Sequence, residues 1–293
     1  MAVGNETALR QCRFLSEGHF AELYEAFISA FSDYVFQFAL TAEQFRNHIV
    51  LNAVDLNRSV GCVDAAKLIG FSLNGFGDWH GRSTVYDAGT GVIPKYRRQG
   101  LSGRMFDMML PVFERDGVEQ FLLEVVTSNT GAIRLYEKLD FKPVRELALL
   151  QCDGVLESVS GMSGDVEIKA VEEPEWPRLQ TFWNGEPSWQ NSIPAMIRSM
   201  KMKRFRGAFS GDKCVGYIAY SSKFGRAAQI AVAPDYRHRG IGTQLVRAMQ
   251  ADMADGYSMQ VINIDKSLAG PMEFFRKLGF YERLSQYEML KKM

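Results

Sequence analysis

Apolar positions along this chain alternate between two spacings. In EGHFAELYEAFISAF (17–31) and AEQFRNHIVLNAV (42–54) they recur three and four residues apart, which predicts helices, as do EWPRLQTFWN (175–184) and IPAMIRSMKM (193–202). Shorter runs with a period of two, or continuously apolar, predict strands: LRQCRFLS (9–16), AAKLIGFSLNGFG (65–77), STVYDAGTGVI (83–93), QFLLEVVTS (120–128) and FKPVRELALLQC (141–152). A second series follows in DVEIKAV, KCVGYIAYSS, AAQIAVA, MQVINID and YERLSQYEML. Strands interleaved with helices imply an α/β fold in which helices cover a mixed sheet.

The two series are copies. VIPKYRRQGLSGRMF (92–106) and VAPDYRHRGIGTQLV (232–246) share Val, Pro, Tyr, Arg and Gly in register, and both Val232 minus Val92 and Gly240 minus Gly100 equal 140. So long a period means two whole domains, expected at 1–151 and 165–293. They are joined by a Gly- and Ser-rich linker over 152–164. The length of 293 residues agrees with two domains.

In each copy a strand ends at Val92–Ile93 or its counterpart, proline stops the ladder, and a helix starts near Leu101 or Ile241. A helix start offers unpaired N–H groups and the positive end of the dipole, which suits a phosphate. Gly100 and Gly240 let the backbone come close, and Arg97, Arg98, Arg237 and Arg239 can add charge. Neither copy has the Gly-Lys-Ser/Thr ending of a P-loop or a dinucleotide glycine fingerprint.

Composition narrows the field. Lys plus Arg and Asp plus Glu each number 34, so no global field gathers polyanions, and nucleic acid is not an expected partner. No apolar run approaches a membrane span, and the start MAVGNETALR lacks a secretory pattern, so a cytoplasmic protein without a membrane partner is expected. Cys12, Cys62, Cys152 and Cys214 have no paired spacing, so reduced thiols and no metal site are expected.

Both halves resemble the GNAT superfamily of acetyl-CoA-dependent N-acetyltransferases, whose signature is Arg/Gln-x-x-Gly-x-Gly/Ala. RHRGIG (237–242) fits it fully, and RRQGLS (97–102) departs only at Ser102. A second signature, Asn followed by A-x-x-LYEKLGF, matches Asn129 and AIRLYEKLDF (132–141), with Asp140 in place of Gly. The resemblance implies two tandem GNAT folds, acetyl-CoA as co-substrate, no metal, and transfer of acetyl to a primary amine, expected to belong to a small molecule; oligomers are possible. It implies a coenzyme site of Gly91, Val92, Ile93, Arg97, Arg98, Gln99, Gly100, Leu101, Ser102, Gly103, Asn129 and Tyr136, and in the second copy Arg237, Gly240 and Gly242.

The resemblance also places Tyr136 near the coenzyme sulfur, as the acid that protonates the leaving thiolate. In the second half Phe275 and Leu268 stand where Tyr136 and Asn129 stand in the first, so catalysis is expected in the first domain and an accessory role in the second. Glu124 and Asp87 are the candidate bases, with His80 in the preceding loop. Aromatics and carboxylates in FISAFSDYVFQF (27–38), with Phe27, Phe31, Tyr34 and Asp33, and in NGFGDWHG (74–81), with Asp78, are the candidate amine pocket or a core stripe. Trp183 and Trp189 play the same part in the second half. The alternatives are a non-catalytic acyl-CoA-binding or sensing protein, or a structural protein with degenerate copies.

Overall fold

The computed structural model of the chain describes residues 10–33, 40–156 and 166–293. Tyr34 and most of the 152–164 linker lie outside them. The chain divides into two compact units: residues 1–124, 131–142 and 289–293 form the first, and 125–130 with 143–288 form the second. Among the described residues no helix is long and apolar enough to cross a membrane.

In the first unit the strands run in the order β1 (Gln11–Phe14), β2 (Val60–Asp64), β3 (Lys67–Trp79), β4 (Arg82–Val92), β5 (Gln120–Val126). The first four are antiparallel, and β4 and β5 are parallel. β2 is an addition to the sequence reading. Its residues Val60–Cys62 are buried without alternation, so period two is lost. The long hairpin of β3 and β4 turns through His80 and Gly81, both with positive φ, as a two-residue turn requires.

Helices α1 (Phe20–Ala30) and α2 (Ala42–Leu51) pack on one face and α3 (Leu101–Arg115) and α4 (Thr130–Lys138) on the other. Successive residues of β3 show the division: Gly70 faces Met105 of α3, whereas Phe71 stacks on Phe27 of α1 with ring centroids 5.6 Å apart. α2 begins with a capping box, in which Thr41 and Gln44 exchange side-chain and backbone hydrogen bonds of 3.2 and 2.7 Å. Phe27 also packs on Phe31 and Phe45, so this stripe is core.

Cys12 and Cys62 correct a sequence expectation. They are direct partners on β1 and β2 and form a disulfide, which leaves Cys152 and Cys214 as the free thiols. Fifty residues separate them, and only the antiparallel register brings them together.

In the second unit the order is β7 (Glu167–Ala170), β8 (Arg204–Ser210), β9 (Lys213–Ser221), β10 (Arg226–Val232), β11 (Met259–Asp265), β6 (Lys142–Cys152), β12 (Tyr281–Lys292). Its helices are α5 (Trp176–Gln180), α6 (Ile193–Arg198), α7 (Ile241–Ala251) and α8 (Ala269–Lys277). α7 buries Leu245, Val246 and Met249 in a core that includes Ile218, Tyr220, Val261 and Phe275. The terminal strands are traded between the repeats. β6 closes the first repeat but pairs with β11, whereas residues 289–293 of β12 belong to the first unit, where the Met293 N–H donates to the Glu119 carbonyl at 3.0 Å.

Candidate active site

The site is built on an interruption of β4. Register with β3 runs Asn74 with Asp87 and then Leu73 with Gly89, so Ala88 is an extra residue, a β-bulge, and Gly89 takes φ 151°. Pairing of β4 with β5 covers only Thr84–Asp87 against Gln120–Leu123 and stops at the bulge. Beyond it β4 keeps one neighbour. The Ile93 N–H donates to the Ile69 carbonyl at 2.9 Å, so antiparallel alternation turns Gly91 and Ile93 toward β3 and Thr90 and Val92 toward the open side. Of the expected backbone donors at 91–93, Val92 is the one aimed into the opening.

The turn after β4 has the expected form but a different division of labour. Arg98 (φ 61°) and Gly100 (φ 74°) are left-handed, and α3 starts at Leu101, so the N–H groups of Leu101, Ser102 and Gly103 form its unpaired first turn. Gln99 and Arg98 are exposed beside them, and the Gln99 amide donates to the Lys95 carbonyl at 3.4 Å. Arg97 turns away from that concavity. Its guanidinium donates to the carbonyls of Val92 (3.1 Å) and Ala30 (2.8 Å) and grips Asp33 through two bonds of 2.7 and 2.6 Å. Arg97 is therefore a brace between the end of β4 and the end of α1, and it holds the Asp33 carboxyl below its ordinary pKa.

Tyr136, on α4, packs against Phe106 and Phe141 and donates its hydroxyl to Asp87 Oδ2 at 3.3 Å. Asp87 also accepts from the Gly89 N–H and the Thr90 hydroxyl, each at 2.8 Å. Burial is the main influence on its carboxyl and raises the pKa to about 6, against the pull of these three donors. Asp87 and its partner Leu123 share the α3/α4 face. Phe121 packs on Phe106 of α3, so the period of two sends Glu124 to the opposite, α1/α2 face, one residue past the last β4–β5 pair. The two carboxylates thus flank the opening from opposite faces, and it is Asp87 that touches Tyr136. Asn129 lies in the turn between β5 and α4, its N–H donating to the Val126 carbonyl at 2.8 Å.

A carboxyl with a raised folded-state pKa stabilises the fold at low pH. That contribution is complete below the ordinary value of 3.8 and lost as pH rises through about 6. Asp87→Asn is therefore expected to be more stable than wild type at pH 8, by up to about 3 kcal/mol, and to lose the advantage near pH 4. Urea unfolding at the two pH values checks it, and an equal difference at both would refute the assignment.

His80 is placed too far away to act as a base. It lies in the β3–β4 turn stacked on Trp79, and Asp87 is five residues further along β4 than Arg82, about 16 Å at 3.3 Å per residue. Asp78 accepts from the Gly81 N–H in the same turn at 3.0 Å. The sequence reading missed His48 on α2, whose Nε2 meets the Ala88 carbonyl of the bulge at 2.7 Å. Its position among apolar residues of a helix gave no signal.

The second unit repeats the frame. β10 bulges at Ala228, parallel pairing with β11 ends at Ala227–Val261, and His238 (φ 61°) and Gly240 (φ 77°) are left-handed before α7. Arg237 repeats the brace, donating to the carbonyls of Val232 (3.0 Å) and Phe182 (2.9 Å). Gly242 lies against the Phe274 ring. A cavity of about 390 Å³ lies at this turn, lined by Val232, Arg237, Gly240, Gly242, Phe274 and Phe275. Beside the bulge, Trp183 donates to the Tyr217 hydroxyl (2.6 Å), which donates to Gln229 Oε1 (2.9 Å), and Gln229 donates to the Asn191 carbonyl. Trp189 is buried. Asn263, 139 positions after Glu124 as Phe275 is after Tyr136, lies within the bulge of β11 with φ 59°, so this copy has neither tyrosine nor carboxylate at the corresponding places.

Comparison with known proteins agrees with this geometry. A model of the Acetyltransferase (GNAT) family matches residues 15–141, and one of the Acetyltransferase (GNAT) domain matches residues 203–282. The chain is 39% identical over 64 residues to an N-alpha-acetyltransferase of Saccharolobus solfataricus, covering 22% of this chain and 38% of that protein. It is 44% identical over 50 residues to the [ribosomal protein bS18]-alanine N-acetyltransferase of Escherichia coli, covering 17% and 34%. It thus spans little more than a third of these relatives' length. Among solved structures, a tandem GNAT protein from the clavulanic acid biosynthesis pathway superposes with a TM-score of 0.70 at 13% identity, covering 97% of this chain and 98% of that one, which shows a shared fold. Two matched domains, each with the bulged strand, the left-handed turn and the helix start, make this chain a member of the GNAT acetyltransferase family with two GNAT domains in tandem.

Proposed function

We propose that the first domain transfers acetyl from acetyl-CoA to a primary amine. The observation that carries this reading is the Tyr136 hydroxyl held on buried Asp87 beside an opening that a phosphate-type turn borders. Acetyl-CoA supplies the acetyl group as an activated thioester. The first-turn N–H groups at Leu101–Gly103, with Arg98, Gln99 and Gly100, suit its pyrophosphate, and Val92, flanked by Gly91 and Ile93, suits the arm and thioester carbonyl. Asn129 is assigned to the arm. A C–N bond forms as the C–S bond breaks: Glu124, on the α1/α2 face, takes the amine proton, and Tyr136 gives its proton to the departing sulfur. Asp87 orients Tyr136. Gly240 and Gly242 repeat the turn in the second domain, with Arg237 bracing it as Arg97 braces the first, and that domain lacks the acid.

A small-molecule amine is the first reading of the acceptor, resting on the aromatic and acidic stretches near α1 and the β3–β4 turn. Asp33 is ion-paired with Arg97, which leaves the α1 end of that wall less anionic than its composition, and Asp78 lies in the β3–β4 turn with His80, away from Asp87. The α-amine of a polypeptide is the second reading, favoured by what the sequence relatives are named for.

Calorimetric titration with acetyl-CoA tests the donor, and thiol release in the presence of polyamines, amino sugars and short peptides tests the acceptor. One site per chain, weakened in Gly100→Val and unaffected in Gly240→Val, is expected if only the first domain binds. Binding without thiol release from any amine would favour the sensing alternative, and no binding would end the proposal.

A further inference from the structure

The bulge peptide between Ala88 and Gly89 is held at both ends. Its carbonyl meets His48 Nε2 at 2.7 Å, and its N–H donates to Asp87 Oδ1 at 2.8 Å. A carbonyl oxygen only accepts, so Nε2 carries the proton, and Nδ1 is left to accept from the Asn52 amide at 3.2 Å. Asn52, the C-cap of α2 one turn beyond His48, donates to the His48 carbonyl as well, at 2.9 Å, which fixes its amide the same way round. Both acceptors take Nδ2, and Asn52 Oδ1 is left buried without a hydrogen-bond partner among the described residues. A fold keeps an unmet buried oxygen at a cost, so the orientation it enforces needs a reason. Burial also lowers the His48 pKa, which keeps the ring neutral.

We propose that His48 is a positioning residue for acetyl transfer, acting through the Ala88–Gly89 peptide to aim the Thr90 and Val92 N–H groups into the opening and to seat Asp87 under Tyr136. This rests on the first domain binding the thioester there. A hydrogen bond to the carbonyl polarises the peptide and strengthens its N–H as a donor, so His48 tightens the peptide's hold on Asp87, the carboxylate to which the Tyr136 hydroxyl also donates. The α1/α2 face is also the face of Glu124, so the helix that delivers His48 borders the proposed acceptor side.

The full-length protein is titrated with acetyl-CoA carrying carbon-13 at the thioester carbonyl. The displacement of that resonance on binding reports how strongly backbone N–H groups polarise the carbonyl, whatever the acceptor. His48→Leu is expected to lose at least half of the displacement seen in wild type while its affinity for CoA, which has no acetyl carbonyl, stays within about threefold. His48→Gln, whose amide nitrogen can reach the Ala88 oxygen, is expected to restore it. Should His48→Leu not fold, Asn52→Leu, which unlocks the ring, is expected to show a smaller loss in the same direction. A displacement unchanged in His48→Leu, or in Asn52→Leu where that variant stands in for it, overturns the inference, as does a failure of His48→Gln to exceed His48→Leu. Absence of acetyl-CoA binding to wild type overturns the donor reading and this inference together, whereas normal binding with equal displacements removes His48 alone.

Discussion

In Tyr136→Phe, turnover is expected to fall by roughly 10²- to 10⁴-fold, the range for a general acid, with acetyl-CoA affinity nearly unchanged. The ring stays among Phe106 and Phe141, and only the hydroxyl on Asp87 is lost, so stability is expected to drop by about 1 kcal/mol. The second domain supplies a precedent for folding: Phe275 occupies the matching place, is buried, and packs on Phe280 with ring centroids 5.2 Å apart. Single-turnover kinetics beside calorimetry separate the two quantities. A rate within about threefold of wild type would remove Tyr136 from the mechanism.

Gly75→Ala is expected to destabilise the first unit by about 3 kcal/mol or more. A Cβ on Gly75 would fall on the Asn52 carbonyl oxygen, well inside contact distance, and lie 3.1 Å from the carbonyl carbon. Neither is the tip of a flexible side chain, so β3 or the end of α2 must move. The junction at risk includes the Phe76 N–H on the Ala53 carbonyl at 3.1 Å and the Asp55 N–H on the Asn74 carbonyl at 2.9 Å. Asn52 also locks His48, so any surviving enzyme is expected to be impaired. Urea unfolding measures the first effect, and a midpoint equal to wild type would mean that the segment relaxes freely.

Much of the site was legible because its signals are local. The helix start at Leu101 and the strand end at Val92 each follow from a few adjacent residues and were reinforced by the repeat at 140 positions, whereas Asn129 and Tyr136 were named through the resemblance to the family's second signature. What escaped depends on partners distant in sequence. Arg97 reads as a phosphate ligand from its charge, yet the choice between an anion and Asp33 is made by where α1 ends. His48 meets a residue forty positions away, and the bulge that exposes the Ala88 carbonyl leaves no mark in STVYDAGTGVI. Likewise β6 and β12 carry similar apolar patterns, so the pattern alone cannot say which repeat each strand completes.

The traded strands set a timetable for the nascent chain. Residues 289–293, which sit in the first unit beside the start of β5, leave the ribosome 147 residues after Lys142, or roughly 7–29 s at 5–20 residues per second. During that interval the first unit exists with one border of its sheet unsealed and available to other extended chains. Slow translation through the second repeat is then a hazard to the first, and the domain proposed to do the chemistry is finished only when its structural sibling has been made.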